Sequence, residues 1–241
     1  MRGDQSSRNL MHDFASVLSN LQSIRELEIA LPRDSDCAES VVDACSHFSG
    51  LSSLTIVTPE RIHPWQRIVH IEVGAAAALG SLTALRTLDL SQCPVHDDRA
   101  AHALAASLEC LPQLRLLRLP TQDASDAVFH ALSSCRCITS VDASVRLQRN
   151  VTGPSVERSQ WASVCAQSTL QDLTLRGSQV FREQHIVDGE TAASSGVGSL
   201  PCLTRLCLSG DFSQNDVSGV SSLTRLRILR VECSGLDDQA M

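Results

Sequence analysis

The sequence predicts an α/β solenoid: one curved parallel sheet of about eight strands on the concave face, with helices and loops on the convex face. Three observations predict it. A short apolar triplet recurs through the 241 residues, a helical stripe precedes most of its copies, and the core palette is aliphatic. Hydrophobic residues make up 43% but aromatics only 3%, with no tyrosine, so Leu, Val, Ile, Ala and Cys must fill the interior. Such side chains stack in layers, and a repeat array needs only layers that match their neighbours.

The triplet has the spacing apolar-x-x-apolar-x-apolar. In chain order it reads Ile24-Leu27-Ile29, Leu51-Leu54-Ile56, Leu85-Leu88-Leu90, Leu114-Leu117-Leu119, Ile138-Val141-Ala143, Leu170-Leu173-Leu175, Leu203-Leu206-Leu208 and Leu226-Leu229-Val231. Three slots in each of eight segments are all apolar; at a 43% background that arises about once in a billion trials before allowing for the choice of register. The last two slots alternate with a polar neighbour, as in Leu88-Asp89-Leu90, which is the signature of a short strand with one face inward.

Each strand is preceded by a candidate helix. Residues 13, 9 and 6 positions before the middle slot give Phe14-Leu18-Leu21, Val41-Cys45-Phe48, Ala75-Leu79-Leu82, Leu104-Leu108-Leu111 and Val128-Leu132-Cys135. Steps of four and three put these residues on one helical stripe, which must pack against the strand layer. Asp97 before Asp98, and Asp123 or Ser125 before Asp126, are suitable N-caps, with carboxylates in the first turn. Pro112 lies just past a helix end and is a stop signal.

The stripe weakens to Gln160-Val164-Gln167, Ala193-Val197-Leu200 and Asp216-Val220-Leu223. Polar, Gly/Ser-containing stretches at 145–158 and 176–198 are expected to be loops, and the 23-residue interval before Leu229 has room for little beyond a turn or short helix. The chain is expected to be one domain over 1–241, regular over about 10–144 and irregular over about 145–241. The final Gly235-Leu236-Asp237-Asp238 resembles the start of another helix, so a terminal cap is expected to be missing.

The run Leu85-Arg86-Thr87-Leu88-Asp89-Leu90-Ser91-Gln92-Cys93, followed by Val95 and Asp97-Asp98, resembles the ribonuclease-inhibitor-like class of leucine-rich repeats. The resemblance covers roughly residues 10–241 and implies strand-then-helix repeats. It also implies that Cys93, three residues after the last strand leucine, bonds a neighbouring repeat's backbone. The corresponding positions in other repeats are Pro32, Pro59, Gln122, Arg146, Ser178, Asp211 and Ser234, which departs from the pattern. The resemblance specifies a fold and leaves function open.

Composition narrows the function. All 20 basic residues are arginine, which removes lysine chemistry, and the net charge of −7 opposes general binding to a phosphate backbone, so no nucleic-acid partner is expected. Residues 1–14 carry no apolar signal core and no run of about 18 apolar residues occurs, so no membrane association is expected and the protein is expected in the cytoplasm or nucleus. The ten cysteines are then read as reduced. Cys45 and Cys135 replace stripe leucines and read as small buried hydrophobes.

Cys135-Arg136-Cys137 is too tightly spaced for a zinc knuckle, His96, His102 and His130 read as surface residues, and Gly196-Val197-Gly198 lacks the rest of any phosphate loop. No metal, no cofactor and no enzymatic activity are expected.

The strand residues between the apolar slots should line the concave face. They begin acidic, with Glu26 and Glu28, pass through Asp89, Arg118 and Asp142 in three successive repeats, and end with Arg176, Arg205 and Arg230. These last six are the candidate partner-binding residues, either pairing among themselves or, for the three late arginines, forming a ridge for an acidic partner segment. The expected function is a non-enzymatic scaffold holding a partner protein. The alternative is the recognition module of a larger regulatory protein or enzyme, such as a ubiquitin-ligase receptor, an immune-type sensor or a GTPase activator. A homodimer through the exposed last strand is a further expectation.

Overall fold

The computed structural model describes residues 23–30, 42, 44–45, 48–57, 70–120, 126–144, 164, 167–178, 200–211 and 219–233. Its strands are β1 (Glu26–Ala30), β2 (Ser53–Val57), β3 (Thr87–Asp89), β4 (Leu116–Arg118), β5 (Ser140–Ser144), β6 (Asp172–Ser178), β7 (Arg205–Asp211) and β8 (Ile228–Cys233). They form one parallel sheet whose spatial order is the sequence order. Each repeat therefore stacks on the one before it, as a solenoid requires.

The register puts the middle slots opposite one another, from Leu27 and Leu54 through Leu88, Leu117, Val141, Leu173 and Leu206 to Leu229. A slip of one residue would turn this row to solvent, so the apolar pattern fixes the register. Leu54, Leu88, Leu117, Leu173 and Leu206 are fully buried, whereas Leu229 on the last described strand is 47% exposed.

A backbone staircase reinforces the stack just before the strands. The Arg25 carbonyl accepts from the N–H groups of Ser52 and Ser53, that of Ser52 from Arg86 and Thr87, and that of Arg86 from Arg115 and Leu116. The same step repeats until Thr204 accepts from Arg227 and Ile228.

Behind the sheet lie α1 (Val73–Ala78), which runs on into a 3-10 turn at Leu79–Ser81, α2 (Asp98–Glu109) and α3 (Asp126–Leu132). Helix α2 starts where the cap was expected: the Asp97 carboxylate accepts from the Ala100 N–H at 2.8 Å, with Asp98 in the first turn. Its stripe of Ala101, Leu104, Ala105 and Leu108 joins the strand leucines in one continuous core. Cys45, Phe48, Leu79, Leu82, Leu111, Val128 and Leu132 are buried as the stripe predicts. A short 3-10 helix, Gly219–Ser222, fills the tight interval before β8. The Phe14-Leu18-Leu21 stripe, the Asp123 and Ser125 caps, and most of the expected loops and the terminal segment lie outside the described residues.

Polar donors tie the helix layer from repeat to repeat. Ser107 Oγ, buried on α2, donates to the Ala76 carbonyl at 2.7 Å; Cys135 Sγ donates to the Leu108 carbonyl at 3.4 Å. The buried Gln167 amide reaches the Leu132 carbonyl in the same way. These bonds go to carbonyls in the last turns of the helices; those of Leu108 and Leu132 also accept from the N–H groups of Leu111 and Cys135, so the side chains are second donors there. Cys135 and Gln167 occupy one repeat position, so the apparent lapse in the stripe at Gln167 is a matched donor. Cys93 plays a similar part beside the sheet, its Sγ 3.6 Å from the Ile56 carbonyl of the preceding repeat. The architecture is a leucine-rich-repeat solenoid of about eight repeats.

Candidate functional site

Helices are wider than strands, so a stack with helices on one side bends toward its strands and makes the helix-free face of the sheet concave. Alternation along each strand sends one set of side chains into the core and the other onto this face. One outward row runs Glu28, Thr55, Asp89, Arg118, Asp142, Thr174, Cys207 and Arg230, each opposite the next. A second runs Glu26, Ser53, Thr87, Leu116, Ser140, Asp172, Arg205 and Ile228.

The six sequence-predicted residues all lie on strands of this sheet, and their charges are paired. Arg118 donates through an NH group to Asp89 Oδ2 at 2.8 Å, across β3 and β4. Arg176 reaches diagonally to Asp142 Oδ2 at 2.9 Å. Arg205 lies 3.5 Å from Asp172 on the neighbouring strand, and Arg230 lies 2.6 Å from Glu232 on its own strand. Asp172 and Glu232 therefore complete the set; Asp172 stands directly opposite Arg205 in the second row, whereas Glu232 is met along its own strand.

The late arginines are paired cations. Arg176 and Arg205 are each 51% exposed and Arg230 is 71% exposed, so a partner could still reach them, although exchanging one carboxylate for another changes little energy. Four arginines balance four carboxylates, and exposed Glu26 and Glu28 at the first strand tip the face toward negative.

The two central aspartates differ. Burial pulls the Asp89 carboxyl upward, but hydrogen bonds from Arg118 and from the Ser91 N–H at 3.0 Å outweigh it and hold the group below the ordinary carboxylate range. Burial dominates at Asp142 and raises it, against the pull of Arg176 and Arg118 and with the negative fields of Asp89 and Asp172. The bond to Asp89 raises Arg118 further. The face thus holds one firmly ionised aspartate and one that binds a proton more readily, on β3 and β5.

Among the described residues, no group of three His, Cys, Asp or Glu is placed to hold a metal ion, and no helix is long and apolar enough to cross a membrane. His96, His102 and His130 are exposed, and the His96 ring meets that of His70 edge-on at 5.4 Å.

No family model matches this chain, and neither does any curated protein. Solved structures that it resembles include the leucine-rich-repeat ectodomain of the Arabidopsis receptor kinase HAESA, in complex with an N-terminally extended IDA peptide hormone. Identity there is 15% and the TM-score 0.37, over 80% of this chain and 32% of that one. A complex of TLR13 with ssRNA13 is similar at 13% identity and a TM-score of 0.36, over 90% of this chain and 34% of that one. The chain spans about a third of the length of these two solved chains. Likeness at this level says nothing of what this chain binds.

Proposed function

We propose that this chain is a non-enzymatic scaffold whose concave sheet face holds a partner protein, with Asp89, Arg118, Asp142, Arg176, Arg205 and Arg230 as the contacting residues. The observation that carries the reading is the set of four ion pairs displayed on consecutive strands. Eight strands at about 4.8 Å span nearly 40 Å, which matches a standard protein interface. Exposed pairs of this kind add little stability, and their fixed alternation of sign suits orientation of a charged partner.

The strand-plus-helix repeats around α1, α2 and α3 support placing the chain with the ribonuclease-inhibitor-like class. The buried thiols of Cys93 and Cys135 act as hydrogen-bond donors, which favours a reducing compartment, the cytoplasm or nucleus. Exposed Leu229 and Val231 on β8 favour the further proposal that a second copy can add there; sedimentation that stays monomeric at high concentration would remove it.

The test is affinity capture from the source cell's lysate, comparing the wild type with an Arg176→Glu, Arg205→Glu, Arg230→Glu variant whose fold is verified by circular dichroism. A stoichiometric protein captured by the wild type and lost from the variant supports the reading. Equal capture by both contradicts the assigned residues.

A further inference from the structure

We infer that the rim of the sheet from which the strands start is a second interaction surface, one that takes an extended acidic polypeptide segment. Arg25, Arg86, Arg115 and Arg227 each occupy the position just before a strand, while Arg136 and Arg225 lie in the turns leading into β5 and β8. All six are exposed. Unlike the concave arginines, Arg86, Arg115, Arg136 and Arg227 have no ion pair or hydrogen-bond partner for their guanidinium groups among the described residues. Arg25 reaches only the Gly50 carbonyl, at 3.1 Å, and Arg225 only the Cys202 sulfur, at 3.8 Å.

Among the described residues, most backbone acceptors of the row are already taken up. The carbonyls of Arg25, Arg86 and Arg115, like those of Ser52, Thr139, Gln171 and Thr204, each accept two N–H groups from the next repeat. The hydroxyls of Ser52, Thr139 and Thr204 donate back into the same staircase. No carboxylate stands in the row, whose remaining positions are Ser52, Thr139, Gln171 and Thr204. A chain with net charge −7 thus presents one line of unneutralised guanidinium groups, each able to grip a carboxylate through two N–H donors.

Spacing defines the ligand. Arg86, Arg115 and Arg136 fall in three successive repeats, and Arg225 and Arg227 lie three repeats further on, beyond neutral Gln171 and Thr204. From Arg86 to Arg227 is five repeat steps, about 24 Å at ~4.8 Å each, which an extended peptide covers in roughly seven residues. The segment that fits carries acidic residues toward both ends. A nucleic acid is the poorer match, because its continuous phosphate chain would set charge against neutral Gln171 and Thr204 and beside Asp172, where the fitting segment carries no acidic residue.

The experiment is fluorescence anisotropy of the full chain with a labelled decapeptide of three glutamates, four Gly/Ser residues and three glutamates, an RNA decamer and phosphatidylserine vesicles as probes, across a salt series. The wild type is expected to bind the peptide saturably, more tightly than RNA or vesicles, and more weakly as salt rises. An Arg86→Gln, Arg115→Gln, Arg136→Gln variant should lose about tenfold in affinity, while Arg176→Gln on the concave face should leave it unchanged. Absence of saturable peptide binding, equal affinity in the rim variant, or tighter binding of RNA or vesicles would each overturn the inference. The Arg176→Gln control separates this surface from the concave one.

Discussion

Arg118 and Asp89 face each other across β4 and β3 with 2.8 Å between donor and acceptor, while Asp142 stands opposite Arg118 on its other side. The one guanidinium thus sits between two carboxylates and binds only Asp89 directly; Asp142 takes its direct bond from Arg176, and burial nonetheless raises it.

Asp89→Asn is expected to destabilise the fold by about 1–2 kcal/mol at neutral pH, a modest figure because Arg118 is half exposed. The folded state lowers the affinity of Asp89 for a proton, so its contribution is present above the unfolded carboxyl pKa and is lost as pH falls through the folded value. Asp142 has the opposite sign. Its raised folded value means that the ionised form costs stability above that value, so Asp142→Asn should be neutral or stabilising at pH 7 and the difference should vanish in acid. Urea titrations from pH 3 to 8 check both; parallel curves for the two variants would contradict the assignment.

Leu116 and Leu117 are neighbours with opposite consequences. Leu117 is fully buried, and Leu117→Ala should cost about 2–5 kcal/mol. Leu116 lies partly exposed on the concave row, so Leu116→Ala should cost well under about 1 kcal/mol and act, if at all, on partner binding. Thermal melts of the two variants test the register directly.

The junction of α1 and α2 depends on a missing side chain. A Cβ at Gly80 would stand 3.1 Å from Ser107 Oγ and 3.3 Å from Ser107 Cα, tighter than ordinary van der Waals contact. Gly80→Ala should therefore push α2 away and weaken the Ser107 bond to Ala76, destabilising by about 1–3 kcal/mol. Ser107→Ala should cost about 1–2 kcal/mol through the carbonyl left without its donor. The double variant is expected to fall short of the sum, since both changes act on one contact.

Thiol labelling separates the described cysteines. Burial pushes Cys45 and Cys93 up to about 12 and Cys135 up to about 11, so at pH 8 these thiols are protonated and shielded. Cys110 and Cys137 are exposed and free, and should be modified first. Mass mapping after brief maleimide treatment should find those two labelled and Cys45, Cys93 and Cys135 protected until urea is added.

The strand register was legible because three apolar slots per repeat leave one alignment that buries every row, and Asp97 announced α2 because an N-cap is a local signal. The Arg118 and Asp89 pair was legible too, as neighbours in one outward row. Other features needed coordinates. Arg176 reaches Asp142 diagonally and Arg230 reaches Glu232 along its own strand, so reading straight across the rows does not find either pair. Gln167 looks like a flaw in an apolar stripe until the Leu132 carbonyl, which takes its amide as a second donor beside the Cys135 N–H, is seen next to it. Partner choice is not encoded by a repeat whose core residues answer only to packing.

The most direct test of the concave-face account exchanges a pair of charges while keeping the pair: Asp142→Arg with Arg176→Asp, assayed by affinity capture beside the wild type. The exchange preserves an ion pair at that place and inverts the order in which its charges are presented. The account predicts that the variant stays folded, less stable by about 1 kcal/mol or less because the new arginine faces Arg118, and loses the captured partner protein. Retention of the same partner with unchanged yield would contradict it.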